Sequence, residues 1–288
     1  MTRGLESLLS EYDLVTEEDW ENALKEVVQH LTLLGLWRSK FYEHAVFYGG
    51  TALRIFHGLR RFSEDMDFSL VRKNSDFSLS PHLTEVRSEL KAFGFDFTIE
   101  EKQKKTTSAI ESAFIKENTV KNLLIIKAAP EITGRFPRNK RIKIKFEIDT
   151  DPPGKAKYEV RTLLSPIPFQ VKIFRLPDLF AGKLHAVLCR EWKTRIKGRD
   201  YYDMLWYLGK KVPCHLEHLR ERMLQTDHLQ SDQVLDRNEL LRLLDSRFRQ
   251  IDFDSARQDV RPFIRDQQEL ELWSQNFFCE IIRKLDTC

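Results

Sequence analysis

Asp65 and Asp67 are the residues whose type and spacing point most directly to chemistry. They stand at alternate positions of a predicted strand, so both carboxylates lie on one face, about 6.5 Å apart along the strand. Met66 and Phe68 take the other face and can enter a core. Two carboxylates on one face are suited to binding a divalent metal ion.

A glycine turn precedes this pair. Gly49-Gly50-Thr51 follows a predicted apolar strand at 45–48 and opens a short predicted helix at 51–57. Backbone N–H groups at a helix N-terminus bind phosphate. A metal carrying a triphosphate would therefore fit here, and the combination predicts phosphoryl or nucleotidyl transfer.

Neither feature is specific alone. Acidic residues at alternate positions usually form a solvated strand face, and Gly-Gly is usually only a turn. The complete order is strand, Gly-Gly-Thr, helix, short basic linker, Ser-x-Asp-x-Asp and apolar strand. This order is much rarer by chance, and it favours the functional interpretation.

A two-metal site needs a further carboxylate beside the first pair. The predicted strand 142–149 alternates apolar residues with polar ones, and its polar face ends in Glu147 and Asp149. If this strand neighbours that of Asp65 and Asp67, either residue can reach the same metal. The sequence does not choose between them, and a solvated acidic strand end is the alternative for each.

Lys183 lies among apolar residues of a predicted helix at 178–192. A lysine there usually extends its amine to solvent, but it can also contact a triphosphate as a point charge. Asp200 and Asp203 open the next predicted helix, where both have an ordinary explanation as an N-cap and a first-turn acid. The functional alternative is that one of them orients Lys183 or the base and ribose of a nucleotide.

The predicted elements describe an α+β fold with a mixed sheet followed by helices. A helix from Thr16 to about Leu34 precedes the motif, and a helix at 83–93 follows it. Strands are predicted at 95–100, 123–127, 142–149 and 158–164. Helices are predicted at 178–192, 200–208, 215–225, 238–248 and 267–285. We place a domain boundary near residue 170, which gives an α/β domain at 1–170 and a helical domain at 171–288.

The composition sets the broad class. The chain has 288 residues, of which 41% are hydrophobic and 32% charged, and its net charge is only +3. No apolar run is long enough for a membrane span, no signal peptide is evident, and the four cysteines are scattered. We therefore expect a cytoplasmic protein with no membrane partner. Three basic runs, at 102–105, 135–145 and 193–199, make a polyanionic substrate plausible.

These motifs resemble those of the AbiEii/AbiGii toxin family. Its members are nucleotidyltransferase-like proteins related to the MenT toxins, within the DNA polymerase β-type superfamily. The resemblance runs through Gly49-Gly-Thr-Ala-Leu53, Arg61-Phe-Ser-Glu-Asp-Met-Asp-Phe68, Lys183-Leu-His-Ala186 and Arg199-Asp-Tyr-Tyr-Asp203. It covers roughly residues 40 to 210, in the family's order.

The resemblance implies a polymerase β-like nucleotidyltransferase core with a C-terminal helical domain. It implies two Mg²⁺ ions on Asp65 and Asp67, and Lys183 on a phosphate of the NTP substrate. Asp203 or Asp200 takes the family's final acidic position. The nucleotide-binding residues it implies are Gly49, Gly50, Thr51, Arg54 and Ser63.

Characterised members of the family are toxins of toxin–antitoxin pairs, and some add nucleotides to the 3′ end of tRNA. The resemblance therefore implies an RNA acceptor, tRNA first, and a cognate antitoxin protein. Two alternatives stay open. The acceptor can be a small molecule or a protein hydroxyl, or the chain can be a catalytically silent module that binds nucleotide or RNA.

Overall fold

The computed structural model describes residues 3–101, 119–128, 142–191 and 196–288. Within them the protein has an α+β fold built on a mixed seven-stranded sheet of order β3-β4-β5-β2-β1-β7-β6. The strands are β1 (Ala45–Tyr48), β2 (Met66–Leu70), β3 (Phe95–Glu101), β4 (Thr119–Ala128), β5 (Ile142–Asp149), β6 (Tyr158–Leu163) and β7 (Phe169–Phe174).

Helices precede the sheet, interrupt it and follow it. The first four are α1 (Arg3–Leu9), α2 (Glu17–Arg38), α3 (Gly49–His57) and α4 (Leu83–Ala92). After the last strand come α5 (Leu176–Cys189), α6 (Gly198–Gly209), α7 (Leu216–Gln225), α8 (Arg237–Phe248), α9 (Phe253–Val260) and α10 (Gln275–Ile281). None of the helices in the described ranges is long and apolar enough to cross a membrane.

The chain divides into two compact units. We call the first the sheet unit; it comprises Met1–Ala52, Glu64–Pro152 and Glu159–Ile173. The second, the helical unit, comprises Leu53–Ser63, Pro153–Tyr158 and Phe174–Cys288. Each unit is therefore assembled from three separate segments of the chain.

The centre of the sheet is held by pairs between distant segments. Strand β1 runs antiparallel to β2 and parallel to β7, and β2 runs parallel to β5. On one face, Phe68 stacks on Phe146 with ring centroids 4.6 Å apart, and Phe47 lies 4.9 Å from Phe68. Met66 and Phe68 are fully buried, whereas Asp65 and Asp67 are only half-buried. Burial alternates from Asp65 to Phe68 as predicted, but β2 begins at Met66, so Asp65 lies just before the strand and not within it.

Several predicted elements need correction. The single helix predicted at 267–285 is wrong, because the segment forms a short 3₁₀ turn at Gln267–Leu270, helix α10, and a second 3₁₀ turn at Ile282–Lys284. Ser274 is the cause: its backbone is extended, and its hydroxyl caps α10 by accepting from the N–H of Phe277.

Elements α1, α9 and β7 were not predicted. Trp192, the predicted end of a helix, lies outside the described residues.

Helix α2 supports the sheet unit through a close contact with α4. Thr16 begins α2 with a capping box, in which its side chain and that of Asp19 each accept a backbone N–H. At Gly35 the two helices nearly touch, since a Cβ built there would lie 2.5 Å from Cα of Val86 and 2.8 Å from its nitrogen. Only glycine allows this approach.

We expect Gly35→Ala to lower the free energy of unfolding by about 1–3 kcal/mol, because backbone atoms of α4 must move to admit the methyl group. Gly209→Ala is the matched control. Gly209 also lies in a helix, but a Cβ there would meet no atom within 4 Å. Urea denaturation of the two variants measures the difference, and equal stability would contradict the close contact.

Candidate active site

Gly49 joins β1 to α3 and fixes the surroundings of Asp67. Its φ of +82° lies in the left-handed region that favours glycine. A Cβ at Gly49 would lie 2.4 Å from Oδ2 of Asp67, so any other residue would collide with the carboxylate. The turn and the carboxylate therefore occupy neighbouring positions, as the motif predicts.

The backbone at Asp65 is held from two sides. The hydroxyl of Thr51, which is fully buried, donates to the carbonyl oxygen of Asp65. From α2, Lys25 forms an ion pair with Glu64 at 3.0 Å, and the amide of Gln29 donates to the Glu64 carbonyl at 3.4 Å. Because its hydroxyl is engaged in this way, Thr51 would meet a phosphate through its backbone N–H.

The register of β2 and β5 shows which of Glu147 and Asp149 lies beside Asp67. Asp67 pairs with Glu147 and Ser69 pairs with Asp149. Residues paired in neighbouring strands point to the same face, so Glu147 stands beside Asp67 and Asp149 lies two residues further along. Asp149 also accepts the N–H of Asp151 at 3.0 Å, which forms the turn that ends β5.

Lys145 lies on the same face, although the sequence motifs predicted no role for it. Its ammonium nitrogen is 2.7 Å from Oε1 of Glu147. Burial alone would lower the pKa of Lys145, but the hydrogen bond and charge of Glu147, with the charges of Asp65 and Asp67, raise it above the ordinary lysine value. Alternation of Lys145 with Glu147 in the sequence was the available signal.

The donor set suits Mg²⁺. Among the described residues, no group of three His, Cys, Asp or Glu side chains forms a ready metal cage. Mg²⁺ seldom needs one, because it keeps several waters and binds through one or two carboxylates and the substrate's phosphates. Asp65, Asp67 and Glu147 offer only hard oxygen ligands, and they fit that mode of binding.

The side chain of Arg54 holds the loop that follows α3. Gly58 leaves the helix with φ +74°, and the guanidinium of Arg54 donates to the carbonyls of Leu59 and Arg60 at 3.1 and 2.7 Å. It also lies over the ring of Phe62, 4.4 Å from the centroid. Arg54, a predicted nucleotide-binding residue, thus stabilises the conformation of this loop. Ser63, a second predicted nucleotide-binding residue, lies at the end of the loop and is half-buried.

In the helical unit, Lys183 joins two buried aspartates. Its nitrogen is 2.7 Å from Asp200 and 2.8 Å from Asp203. Asp203 is fully buried and also accepts a bidentate pair of hydrogen bonds from Arg61, at 2.6 Å to each carboxylate oxygen. Asp200 is paired with Arg190 at 2.6 Å. The structure thus brings the three predicted residues of this unit together.

Electrostatics keep both aspartates ionised. Burial alone would raise the pKa of Asp200, but Lys183 and Arg190 outweigh it and lower the pKa to about 2. Burial opposes ionisation of Asp203 as well, and Arg61 and Lys183 hold its pKa below the usual value. Three cations and two anions leave this cluster with one excess positive charge.

Arg61 and Arg190 were given no role from the sequence. Arg61 stands in the motif Arg-Phe-Ser-Glu-Asp, so a signal existed, but a linker arginine is ordinarily expected to be solvated. Its partner Asp203 is too distant in the chain for any local pattern to indicate the pair. The basic run at 102–105, residues 135–141 of the second run and residues 193–195 of the third lie outside the described residues.

Three solved structures have a similar fold, and two of them are named as nucleotidyltransferases. A putative nucleotidyltransferase from Helicobacter pylori is 18% identical with a TM-score of 0.53, over 93% of this chain and 95% of that one. JHP933 from the same organism is 18% identical with a TM-score of 0.52, over 94% and 92%. The nucleotidyltransferase toxin MenT4 from Mycobacterium tuberculosis is 14% identical with a TM-score of 0.52, over 99% and 88%.

At these identities the structural likeness concerns the fold. A comparison with curated proteins gives no significant match. A family model described as the nucleotidyl transferase AbiEii toxin of type IV toxin–antitoxin systems matches residues 31–277. This match includes both the carboxylate face of the sheet unit (Asp65, Asp67 and Glu147) and the lysine cluster of the helical unit (Lys183, Asp200, Asp203, Arg61 and Arg190). The chain belongs to the AbiEii family of nucleotidyltransferase toxins.

Proposed function

We propose that this protein transfers a nucleoside monophosphate from an NTP to a hydroxyl of an RNA acceptor, with two Mg²⁺ ions. The observation that carries the proposal is the pairing of Asp67 with Glu147 beside the Gly49 turn. It brings carboxylate ligands and a helix N-terminus to one place, as metal-assisted nucleotidyl transfer requires.

In the sheet unit, one set of groups would bind the metal ions and another would bind the phosphates. Asp65, Asp67 and Glu147 supply oxygen ligands, and the N–H groups at the start of α3 bind the phosphates. When bound, Mg²⁺ lowers the pKa of the attacking hydroxyl and stabilises the leaving group. The acceptor oxygen then bonds to the α-phosphorus, pyrophosphate departs, and the hydroxyl proton leaves to solvent.

Lys183 supplies positive charge for the phosphates in this proposal. Asp200 and Asp203 fix the position of its ammonium, and Arg61 and Arg190 hold the aspartates in turn. The aspartates are therefore positioning residues. A lysine held in this way loses little further side-chain entropy when it meets a phosphate.

The acceptor and partner rest on the family. AbiEii proteins are toxins of toxin–antitoxin systems, which implies an antitoxin partner. We propose RNA as the acceptor, and the 3′ end of tRNA first, because the motifs resemble those of MenT-related toxins that modify tRNA. The basic runs of the sequence are compatible with a polyanion.

Labelled NTPs incubated with total RNA and Mg²⁺ test the function. We expect Asp65→Asn with Asp67→Asn to reduce RNA labelling by more than about a hundredfold, since charge in the transition state loses its compensation. Asp76→Asn, in an exposed turn, is the control and should label as the wild type does. Equal labelling by the double variant, or none with any NTP, would contradict the proposal. Label in protein or small molecules would reassign the acceptor.

Glu147 and Asp149 are expected to differ. Glu147→Gln should reduce transfer by about tenfold or more, since it neutralises the ligand paired with Asp67. Asp149→Asn should have a much smaller effect, because the amide oxygen can still accept the N–H of Asp151. Turnover of both at saturating Mg²⁺ compares them, and the reverse order would identify Asp149 as the third ligand.

The lysine cluster should weaken in acid. The pKa of Asp200 is about 2 when folded and near 4 when unfolded, so its ionisation contributes stability above pH 4 that is lost as the pH falls towards 2. We expect the wild type to exceed Asp200→Asn by about 2 kcal/mol at pH 5 and the gap to close near pH 2. Urea denaturation across this range measures it. The exposed control Asp232→Asn should run parallel to wild type, and a constant gap for Asp200→Asn would refute the coupling.

A further inference from the structure

Lys145 puts a positive charge on the face proposed to bind metal ions. Its ammonium lies 2.7 Å from Glu147, and its side chain is 44% exposed. Phe146 pairs with Met66 in the register of β5 and β2. Lys145 directly precedes Phe146 and Asp65 directly precedes Met66, and the charge of Asp65 acts on the Lys145 ammonium.

Four charged side chains thus surround this part of β2 and β5. Glu147 and Asp67 are paired in the two strands, Lys145 lies two residues before Glu147, and Asp65 immediately precedes β2. Lys145, Glu147 and Asp67 point to the same side of the sheet, because they occupy alternate positions of paired strands. The carboxylates of Asp65, Asp67 and Glu147 all act on the Lys145 ammonium.

An ordinary surface ion pair would explain only the contact of Lys145 with Glu147. Such pairs contribute little and appear at many exposed strand positions. Here the ammonium is influenced by three carboxylates, two of which belong to the family motif. A lysine is also easily displaced, because its compact ammonium lies at the end of a flexible side chain. The planar guanidinium of arginine, in contrast, binds carboxylates with two parallel hydrogen bonds.

We propose that Lys145 is a resident counter-ion of this face, which a divalent ion must displace and which therefore makes metal binding depend on bound nucleotide. The inference rests on the proposed metal-dependent transfer. Without nucleotide, the ammonium offsets one carboxylate and repels an incoming dication. With a nucleotide present, the phosphates supply negative charge that attracts the metal and gives the displaced ammonium a new partner.

Electrostatics set the size of the effect. A unit charge within about 6 Å of a dication changes its affinity by roughly tenfold, even at the dielectric constant of water. Removing the ammonium should therefore tighten divalent binding to the nucleotide-free protein. A role of Lys145 in folding alone would leave metal affinity unchanged.

Mn²⁺ titrations of the full-length protein without nucleotide test the inference, followed by the electron paramagnetic resonance signal of free Mn²⁺. We expect Lys145→Met to bind Mn²⁺ roughly tenfold more tightly than wild type. Lys73→Met is the matched control: it also removes a lysine paired with a carboxylate, Asp151 at 3.0 Å, and should not change affinity. Unchanged or weaker binding by Lys145→Met would overturn the proposal.

A second titration with a non-hydrolysable NTP analogue distinguishes failure of this inference from failure of the proposed function. The analogue should tighten Mn²⁺ binding by wild type more than by Lys145→Met, and an equal gain would count against the inference. If wild type and Asp67→Asn bind Mn²⁺ identically with and without the analogue, the metal site of the proposed function itself fails. Thermal unfolding of each variant confirms that it is folded.

Discussion

The parallel pairing of β2 with β5 is the constraint on which the candidate site depends. Two central strands from distant segments run side by side, and their register sets Asp67 against Glu147. A shift of one residue would turn each carboxylate into the core and each phenylalanine to solvent. The stacked rings of Phe68 and Phe146 on the opposite face oppose such a shift. The apolar core thus fixes the geometry of the polar face.

The lysine cluster shows how buried charge is made tolerable. Two ionised aspartates inside a helical unit are costly unless each has partners with good geometry. Asp203 has Arg61 and Lys183, and Asp200 has Lys183 and Arg190. Replacing such groups with apolar ones is often neutral for stability, and the proposed function gives the cluster a different role, which is to position the ammonium of Lys183. The contacts of Arg61 also bring the linker of the motif into the helical unit.

The sequence predicted what is local in the chain. The alternation in β2 and β5, the start of α2 at Thr16 and the glycine turn all follow from neighbouring residues, and the structure has them. The choice between Glu147 and Asp149 depends on register, which a single strand does not reveal. Arg61 and Lys145 were overlooked because basic side chains are ordinarily solvated. The helix at 267–285 was misjudged because its apolar periodicity hid the cap at Ser274.

The two units carry clusters of opposite net charge. The face of β2 and β5 with Asp65, Asp67, Glu147 and Lys145 has an excess of negative charge, which favours a divalent cation. The cluster of Lys183, Arg61 and Arg190 with two aspartates has one excess positive charge, which favours a phosphate. The net charge of +3 reveals neither cluster, because it sums the charges of the whole chain. These two preferences are those that the proposed function requires, one for Mg²⁺ and one for the phosphates of a nucleotide.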